Sequence, residues 1–300
     1  MVAHDVTVGP SGLGSFRRYL PAACLLGPLV AFLLVFYVVP FGVMLEESFQ
    51  YWRGDPEAAT ATGPTLQQYE KTIESSRTSR ALVRTFRISG ISVIFTFLLS
   101  YPLALFLLQA RPRVRSAVLL ITFISLAASL IVRNYGWLVV LADQGPVNNI
   151  LVALGLVEFP VRMVYNEWAI IVALVHYCMP FMVLPIFGSL LRIPPSHWEA
   201  PRSLGASTWT TLRTVILPLS MPGIFGGTML SFAICMSAFV TPLMLGSPST
   251  AMVSQVAAEQ LLVQLNFPFG SAIIFVLTLL TFVVVLAYAV LVKKMMRIDV

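Results

Sequence analysis

The chain has 300 residues, of which 58% are apolar and only 11% charged, whereas a soluble domain carries about 25% charged residues to cover one compact core. This composition excludes an ordinary water-soluble globular protein and points to a membrane protein. The formal charge of +6 does not signal nucleic-acid binding, because no basic stripe is interleaved with exposed aromatics. Cys24, Cys178 and Cys235 all fall in apolar runs, where thiols behave as small hydrophobes, so neither a disulfide framework nor a metal site is expected.

Residues 19–45, 88–110, 168–191, 214–258 and 260–292 contain no Asp, Glu, Lys or Arg. Each run exceeds the roughly 20 apolar residues that cross about 30 Å of hydrocarbon. Residues 1–19 read as a polar tail ending in Arg17 and Arg18, and span one as about 20–45. That run is about twice the length of a signal-peptide core and lacks a clear small-residue cleavage site, so an uncleaved helix is expected, kinked at Pro28 and Pro40. After a polar segment with a short helix near Leu66 to Ile73, span two is expected at about 86–109, followed by a tight basic loop through Arg115. Span three, about 116–141, is interrupted by Arg133. Span four covers about 167–190 and contains Pro180 and Pro185.

A segment at 192–221 is too polar to cross but has helical character. Span five is expected at about 222–245, a re-entrant or interface-lying helix at 249–269, and span six at about 270–292, stopped by Lys293 and Lys294. Residues 293–300 form a tail. The fold class is therefore all-α, a polytopic bundle of six transmembrane helices. Six crossings place both termini on one side. That side holds Arg17, Arg18, Arg111, Arg113, Arg115, Arg192, Arg202, Arg213, Lys293, Lys294 and Arg297, against Asp5, Glu199 and Asp299. The positive-inside rule makes it cytoplasmic. Arg77, Arg80, Arg84 and Arg87 run against the rule, because they cluster on the other side just before span two.

The segment between spans four and five is the most informative. Pro194 and Pro195 precede Ser196, and Glu199 follows three residues later, a capping-box pattern that opens a short helix. Ala200, Gly205 and Ala206 give it a surface of small side chains that another protein's groove can approach closely. Pro218 and Pro222 are expected to end the helical part before span five. Two readings stand on these residues alone: a partner-docking helix, or the capped amphipathic loop of any polytopic membrane protein.

Glu199 and Ala200, then Gly205, then Val215, Leu217 and Pro218 resemble the EAA loop of binding-protein-dependent ABC importer permeases, in which this loop forms the coupling helix seated in a cleft of the cytoplasmic ATPase. Two positions depart from the pattern: Pro201 replaces the second Ala, and Ser203 replaces an acid. Residues 132–137, 180–185, 239–242 with Leu245 and Gly246, and 268–272 are similar to the spermidine/putrescine permease subgroup, so the resemblance covers about 84–292.

The resemblance implies a type I importer permease fold in a bacterial inner membrane. Its implied partners are a cytoplasmic ABC ATPase dimer, a second permease subunit of different sequence, and an extracytoplasmic solute-binding protein. Coupling to the ATPase falls to Ser196, Glu199, Ala200, Arg202, Gly205 and Ala206. ATP and Mg belong to the partner subunits, since the chain has no Gly-Lys pair and its only lysines are Lys71, Lys293 and Lys294, leaving no phosphate-cradling loop. No catalytic residue, metal site or bound cofactor is expected.

Candidates for lining the pathway are Arg133, Tyr135, Phe239, Thr241 and Glu259. Arg133 is either a functional intramembrane charge or an arginine snorkelling to an interface. Glu259 faces the pathway, the binding protein or water. His176, beside Tyr177 and Cys178, reads as a packing residue rather than a metal ligand. The implied solute is polyamine-like or another small organic molecule; the acid that relatives carry just before the Phe-Val-Thr-Pro stretch is Ala238 here. The rival is a secondary transporter or channel, which needs intramembrane carboxylates or a self-symmetric repeat. Neither is visible. A membrane enzyme would need a nucleophile, base or metal cluster that the scattered histidines do not supply.

Overall fold

The computed structural model describes residues 26–55 and 63–298, with side chains through residue 294. The first residues of span one, Arg17, Arg18, Cys24 and Asp299 lie outside the described residues. In chain order the helices are α1 (Leu26–Glu47), α2 (Gln67–Glu74), α3 (Ser76–Gln109), α4 (Pro112–Ala127), α5 (Leu130–Leu141), α6 (Pro146–Ala153), α7 (Glu167–Leu191), α8 (Ser196–Ser203), α9 (Thr208–Met236), α10 (Val240–Leu245), α11 (Val253–Leu262) and α12 (Phe267–Ile298). Five of them, α1, α3, α7, α9 and α12, are long and apolar enough to cross a membrane, and a sixth crossing results if α4 and the bent stretch after it count as one. Residues 192–207 lie at one end of the bundle, the lower end, opposite the upper end.

Helix α7 is the centre. In its most apolar window 61% of the residues are buried, against none in α1. It packs between α3 and α9, and two apolar cores stack along it. The lower core joins Ala104 and Leu107 of α3, Met182, Ile186 and Leu190 of α7, and Ile216 and Ile224 of α9. The upper one joins Ile88, Ile170, Ile171, Leu174, Cys178, Cys235, Leu245 and Met252. A smaller upper cluster ties Ala81 of α3 to Val253, Val256 and Ala257 of α11 and to Ile273 of α12.

What brings α7 and α9 together is a seam of small residues four apart on α9: Gly223, Gly227, Ser231 and Cys235. In lipid, where neighbouring helices gain nothing from leaving water, close backbone approach across small residues is what drives association. A Cβ on Gly223 would overlap the Pro185 carbonyl oxygen and sit 2.5 Å from Ser189 Cβ. One on Gly227 would sit 2.9 Å from Met182 Sδ and 3.1 Å from Met182 Cα. Further up, Cys178 and Cys235 are free thiols with their sulfurs 3.5 Å apart. Helix α3 closes the third side with a narrow buried stripe of Thr85, Ser89, Ser92, Thr96 and Ser100, and its Tyr101 hydroxyl lies 3.2 Å from Ser220 Oγ on α9.

Two elements differ from the sequence expectation. Pro218 and Pro222 do not end a helix; α9 runs through both from Thr208 to Met236. A π-turn over Leu212–Ile216, closed by the Leu217 N–H on the Leu212 carbonyl, widens the helix just ahead of Pro218, where the ring would clash with a regular turn. Span three is not one rod. Its first part, through Ala127, belongs to α4, and the chain then turns through 104° into α5 and α6.

Because the α7–α9 contact has no room for a side chain, Gly227→Leu is expected to destabilise the subunit by about 1–3 kcal/mol through overpacking. Gly226→Ala is the control, since a Cβ there meets only Pro185 Cβ at 3.9 Å. The melting temperature of the detergent-purified assembly should fall for the first and hold for the second.

Candidate functional site

The segment joining α7 to α9 is a helix hung on two short connectors. Its first turn begins at Ser196 with Pro195 at the N-cap, and the N–H groups of Trp198 and Glu199 bond the Pro195 carbonyl at 2.9 and 3.2 Å. The expected capping box therefore does not form. The helix starts one residue early, because the fixed φ of Pro195 suits a helix entry, and Ser196 already lies inside the first turn.

The other end is closed by Gly205, at φ +86°. The Gly205 N–H bonds Arg202 O at 2.9 Å, and the Ala206 N–H bonds Pro201 O at 2.9 Å. This paired closure with a left-handed residue is a Schellman motif, the reason a glycine stands there. Ser207 then caps α9 by accepting the Thr210 N–H at 3.1 Å.

Of the coupling candidates, Ser196, Glu199, Ala200, Arg202 and Gly205 are exposed and Ala206 is half-buried. Trp198 turns the other way and, with Ile193, packs against the lower core. Leu204 and Trp209 project from the same end at 89% and 70% exposure. The element is thus a short helix rooted by one face on the spans, with a small-residue face, two large apolar side chains and a cation open to a partner.

Four of the five pathway candidates fall in two places. Phe239 and Glu259 line one upper-end cleft of about 370 Å³ with Arg77, Leu243, Pro248 and Gln255. Glu259 is held there by Arg77, which reaches its two carboxylate oxygens at 3.0 and 2.5 Å. The second group surrounds the break in span three. Arg133 is 9% exposed, and its Nη2 donates to the carbonyls of Ser125 and, at 3.0 Å, Ala128. Those carbonyls end α4, where the turn into α5 leaves them without helical partners. The guanidinium also lies 5.0 Å over the Tyr177 ring, while its Nε and Nη1 have no hydrogen-bond partner.

Asn134, the next residue, is 1% exposed and donates from Nδ2 to Thr241 Oγ1 at 3.2 Å, joining α5 to α10. Tyr135 lies apart on the outside, 63% exposed. His176 Nδ1 accepts the Trp137 indole N–H at 3.2 Å, a packing contact. Among the described residues no group of three or more His, Cys, Asp and Glu is placed to hold a metal.

Sequence reasoning missed Asn134, whose partner is 107 residues away and leaves no spacing signal. It also passed over the four-residue repeat of small side chains on α9, which was there to be read. Arg133→Leu is expected to strand the Ser125 and Ala128 carbonyls at about 1–3 kcal/mol each, with Arg133→Lys recovering part. Thermal unfolding of the purified assembly measures both.

A family model described as binding-protein-dependent transport system inner membrane component matches residues 92–297. The chain is 29% identical over 266 residues to the spermidine/putrescine transport system permease protein PotB of Haemophilus influenzae, covering 87% of this chain and 90% of that protein. It is 26% identical over 301 residues to the inner membrane ABC transporter permease protein YdcU of Escherichia coli, covering 96% and 91%. Its fold matches a chain of a bacterial ABC transporter involved in import of the acidic polysaccharide alginate, with TM-score 0.78 at 19% identity over 94% of this chain and 98% of that one. A helical bundle of five to six crossings carrying this match over most of its length belongs to the binding-protein-dependent transport system inner membrane components, and is the permease subunit of an ABC importer whose ATPase is a separate chain.

Proposed function

We propose that α8 is the point at which ATP hydrolysis on partner subunits is converted into movement of this permease. Ser196, Glu199, Ala200, Arg202, Gly205 and Ala206 engage an ABC ATPase dimer that binds the ATP and Mg. The lower end, with both termini, lies in the cytoplasm, in line with the basic residues gathered in 110–115, 192–221 and the tail. A second permease subunit of different sequence completes the passage, and an extracytoplasmic binding protein delivers solute to the upper end.

The observation that carries this reading is the exposed, Schellman-capped helix Ser196–Ser203 joined to α7 and α9 by short connectors. When the ATPase dimer closes, α8 is displaced. Helices α7 and α9 follow as one body, because the Gly223 and Gly227 contacts leave no slack between them. The pathway then opens or shuts around the upper-end residues: Phe239 and Glu259 in their cleft, and Arg133, Tyr135 and Thr241 near the break. A packed interface that switches between two arrangements converts a small push into such a change.

For the solute, the named activity of the PotB relatives supports a small organic cation of the polyamine class. Its charge is met elsewhere than at Ala238, whose carbonyl accepts the Ser254 hydroxyl at 2.5 Å.

The test is Gly205→Val against Gly205→Asn. A β-branched residue is strained at positive φ, whereas Asn tolerates it. The valine variant should insert normally yet lose at least tenfold in uptake of labelled spermidine or putrescine and in binding-protein-stimulated ATP hydrolysis. The asparagine variant should keep a large part of both. Wild-type uptake by the valine variant would overturn the coupling role, and absence of polyamine uptake by the wild type with coupling intact would overturn only the solute class.

A further inference from the structure

Helix α3 is longer than a crossing requires. Its 34 residues measure about 51 Å at ~1.5 Å per residue, against about 30 Å of hydrocarbon. Its lower end is pinned at Gln109, directly before Arg111, Arg113 and Arg115. Counting up roughly 20 residues from there reaches the neighbourhood of Gly90. The portion from Ser76 to Ser89 therefore stands above the hydrocarbon by about 20 Å.

This projecting portion carries Arg77, Arg80, Arg84 and Arg87. Steps of three, four and three put them on one helix face, beside the buried stripe of Thr78, Ala81, Thr85 and Ile88. Three of the four are engaged within the chain. Arg77 holds Glu259. Arg84 donates to the Ala251 carbonyl at 3.0 Å and pairs with Glu167 at 3.2 Å. Arg87 holds both oxygens of Glu167 at 2.5 and 2.6 Å.

Arg80 differs. It is exposed, it meets no carboxylate among the described residues, and its one bond is from Nε to the Ser76 carbonyl of its own helix at 2.8 Å. The nearby acids of α2, Glu70 and Glu74, form no ion pair with the ridge. Arg80 lines a shallow depression with Ser79, Val83, Arg84 and Arg87, and Val83 there is 70% exposed. An open guanidinium beside an exposed apolar side chain, on a ridge whose four cations face two carboxylates, has the make-up of a protein–protein contact.

Two sources of anionic charge fit such a ridge: lipid phosphates and acidic side chains. Height decides between them. The headgroup layer adds about 5–7 Å on each side of the hydrocarbon. Arg87 lies at that level, while Arg80 is seven residues, about 10 Å, further up the helix, clear of the lipid.

Resting on the reading that the upper end is extracytoplasmic, we propose that the ridge centred on Arg80 and Val83 is the surface on which this permease receives its solute-binding protein, through an acidic patch on one lobe of that protein. The pairs Arg77–Glu259 and Arg84/Arg87–Glu167 fix the ridge to α11 and to the start of α7, so a docked partner is tied to the cleft of Phe239 and Glu259 and to the central helix at once.

The experiment uses the complete importer in nanodiscs with its cognate solute-binding protein, measuring ATP hydrolysis as that protein is titrated. Arg80→Glu should raise the concentration for half-maximal stimulation at least tenfold, and Arg80→Gln a few-fold. Arg80→Lys should restore most of the affinity, and hydrolysis without binding protein should not change. Added salt should weaken docking of the wild type more steeply than docking of Arg80→Glu. An unchanged half-maximal concentration in Arg80→Glu overturns the proposal. So does an effect that vanishes in phosphatidylcholine discs and returns with phosphatidylglycerol, which assigns the ridge to lipid, or loss of the second permease from the purified complex. If the wild type itself is not stimulated by binding protein, what fails is the extracytoplasmic assignment and not this contact alone.

Discussion

The architecture depends on the absence of side chains at two positions. Gly223 and Gly227 bring the backbone of α9 against Pro185, Ile186 and Met182 of α7 closely enough that a single added carbon has no place. Inside a bilayer this contact cannot rely on the expulsion of water, and dispersion across a tight seam takes over. Everything at the lower end follows from it. The apolar core of Leu107, Ile186, Leu190 and Ile216 assembles around the two paired helices, and Trp198 and Ile193 anchor the connecting segment on that core.

A second constraint acts at the upper end, where helices stop inside the bundle. Carbonyls freed at such a stop have no water to turn to, and each must find a donor in the protein. The turn between Ala127 and Leu130 meets this demand with an arginine supplied eight residues after the first freed carbonyl. The charge that looked anomalous in the sequence is thus part of the backbone's own hydrogen bonding, and its stacking on Tyr177 ties the break to the central helix. Asn134 joins α5 to α10 through the Thr241 hydroxyl. The two interrupted regions consequently hold each other, through neutral and charged donors on consecutive residues.

Much of this was legible from residues alone, and the reasons it stopped are physical. The charge-free run at 168–191 lies inside α7, and the later part of the run at 260–292 lies inside α12, because the cost of burying a charge dominates every other signal in a membrane. Proline was a poor guide for the same reason. Pro102, Pro180, Pro185 and Pro222 all lie inside helices, since neighbouring helices re-satisfy what a ring removes. The break in span three has no proline or glycine at its turn, only Ala128 and Ser129, so no local residue announced it. Between α7 and α9 the start of a short helix could be read from Pro195 and Ser196, whereas its closure by Gly205 rather than by the later prolines could not, nor could the direction of Trp198, because a tryptophan in a short polar loop gives no hint of which side it packs on. The four arginines before span two conflicted with a simple count of charge by side. In the structure three of them have partners on other elements.

The connectors on either side of α8 have a mechanical consequence. Residues 192–195 include two consecutive prolines, and residues 204–207 are closed by a left-handed glycine and a serine cap. Neither link holds a loose run of chain that could stretch or coil when loaded. Under the proposed coupling, a train of parts joined this way has no backlash: displacement at the short helix would reach the long ones undiminished, and reversing it would return them along the same track.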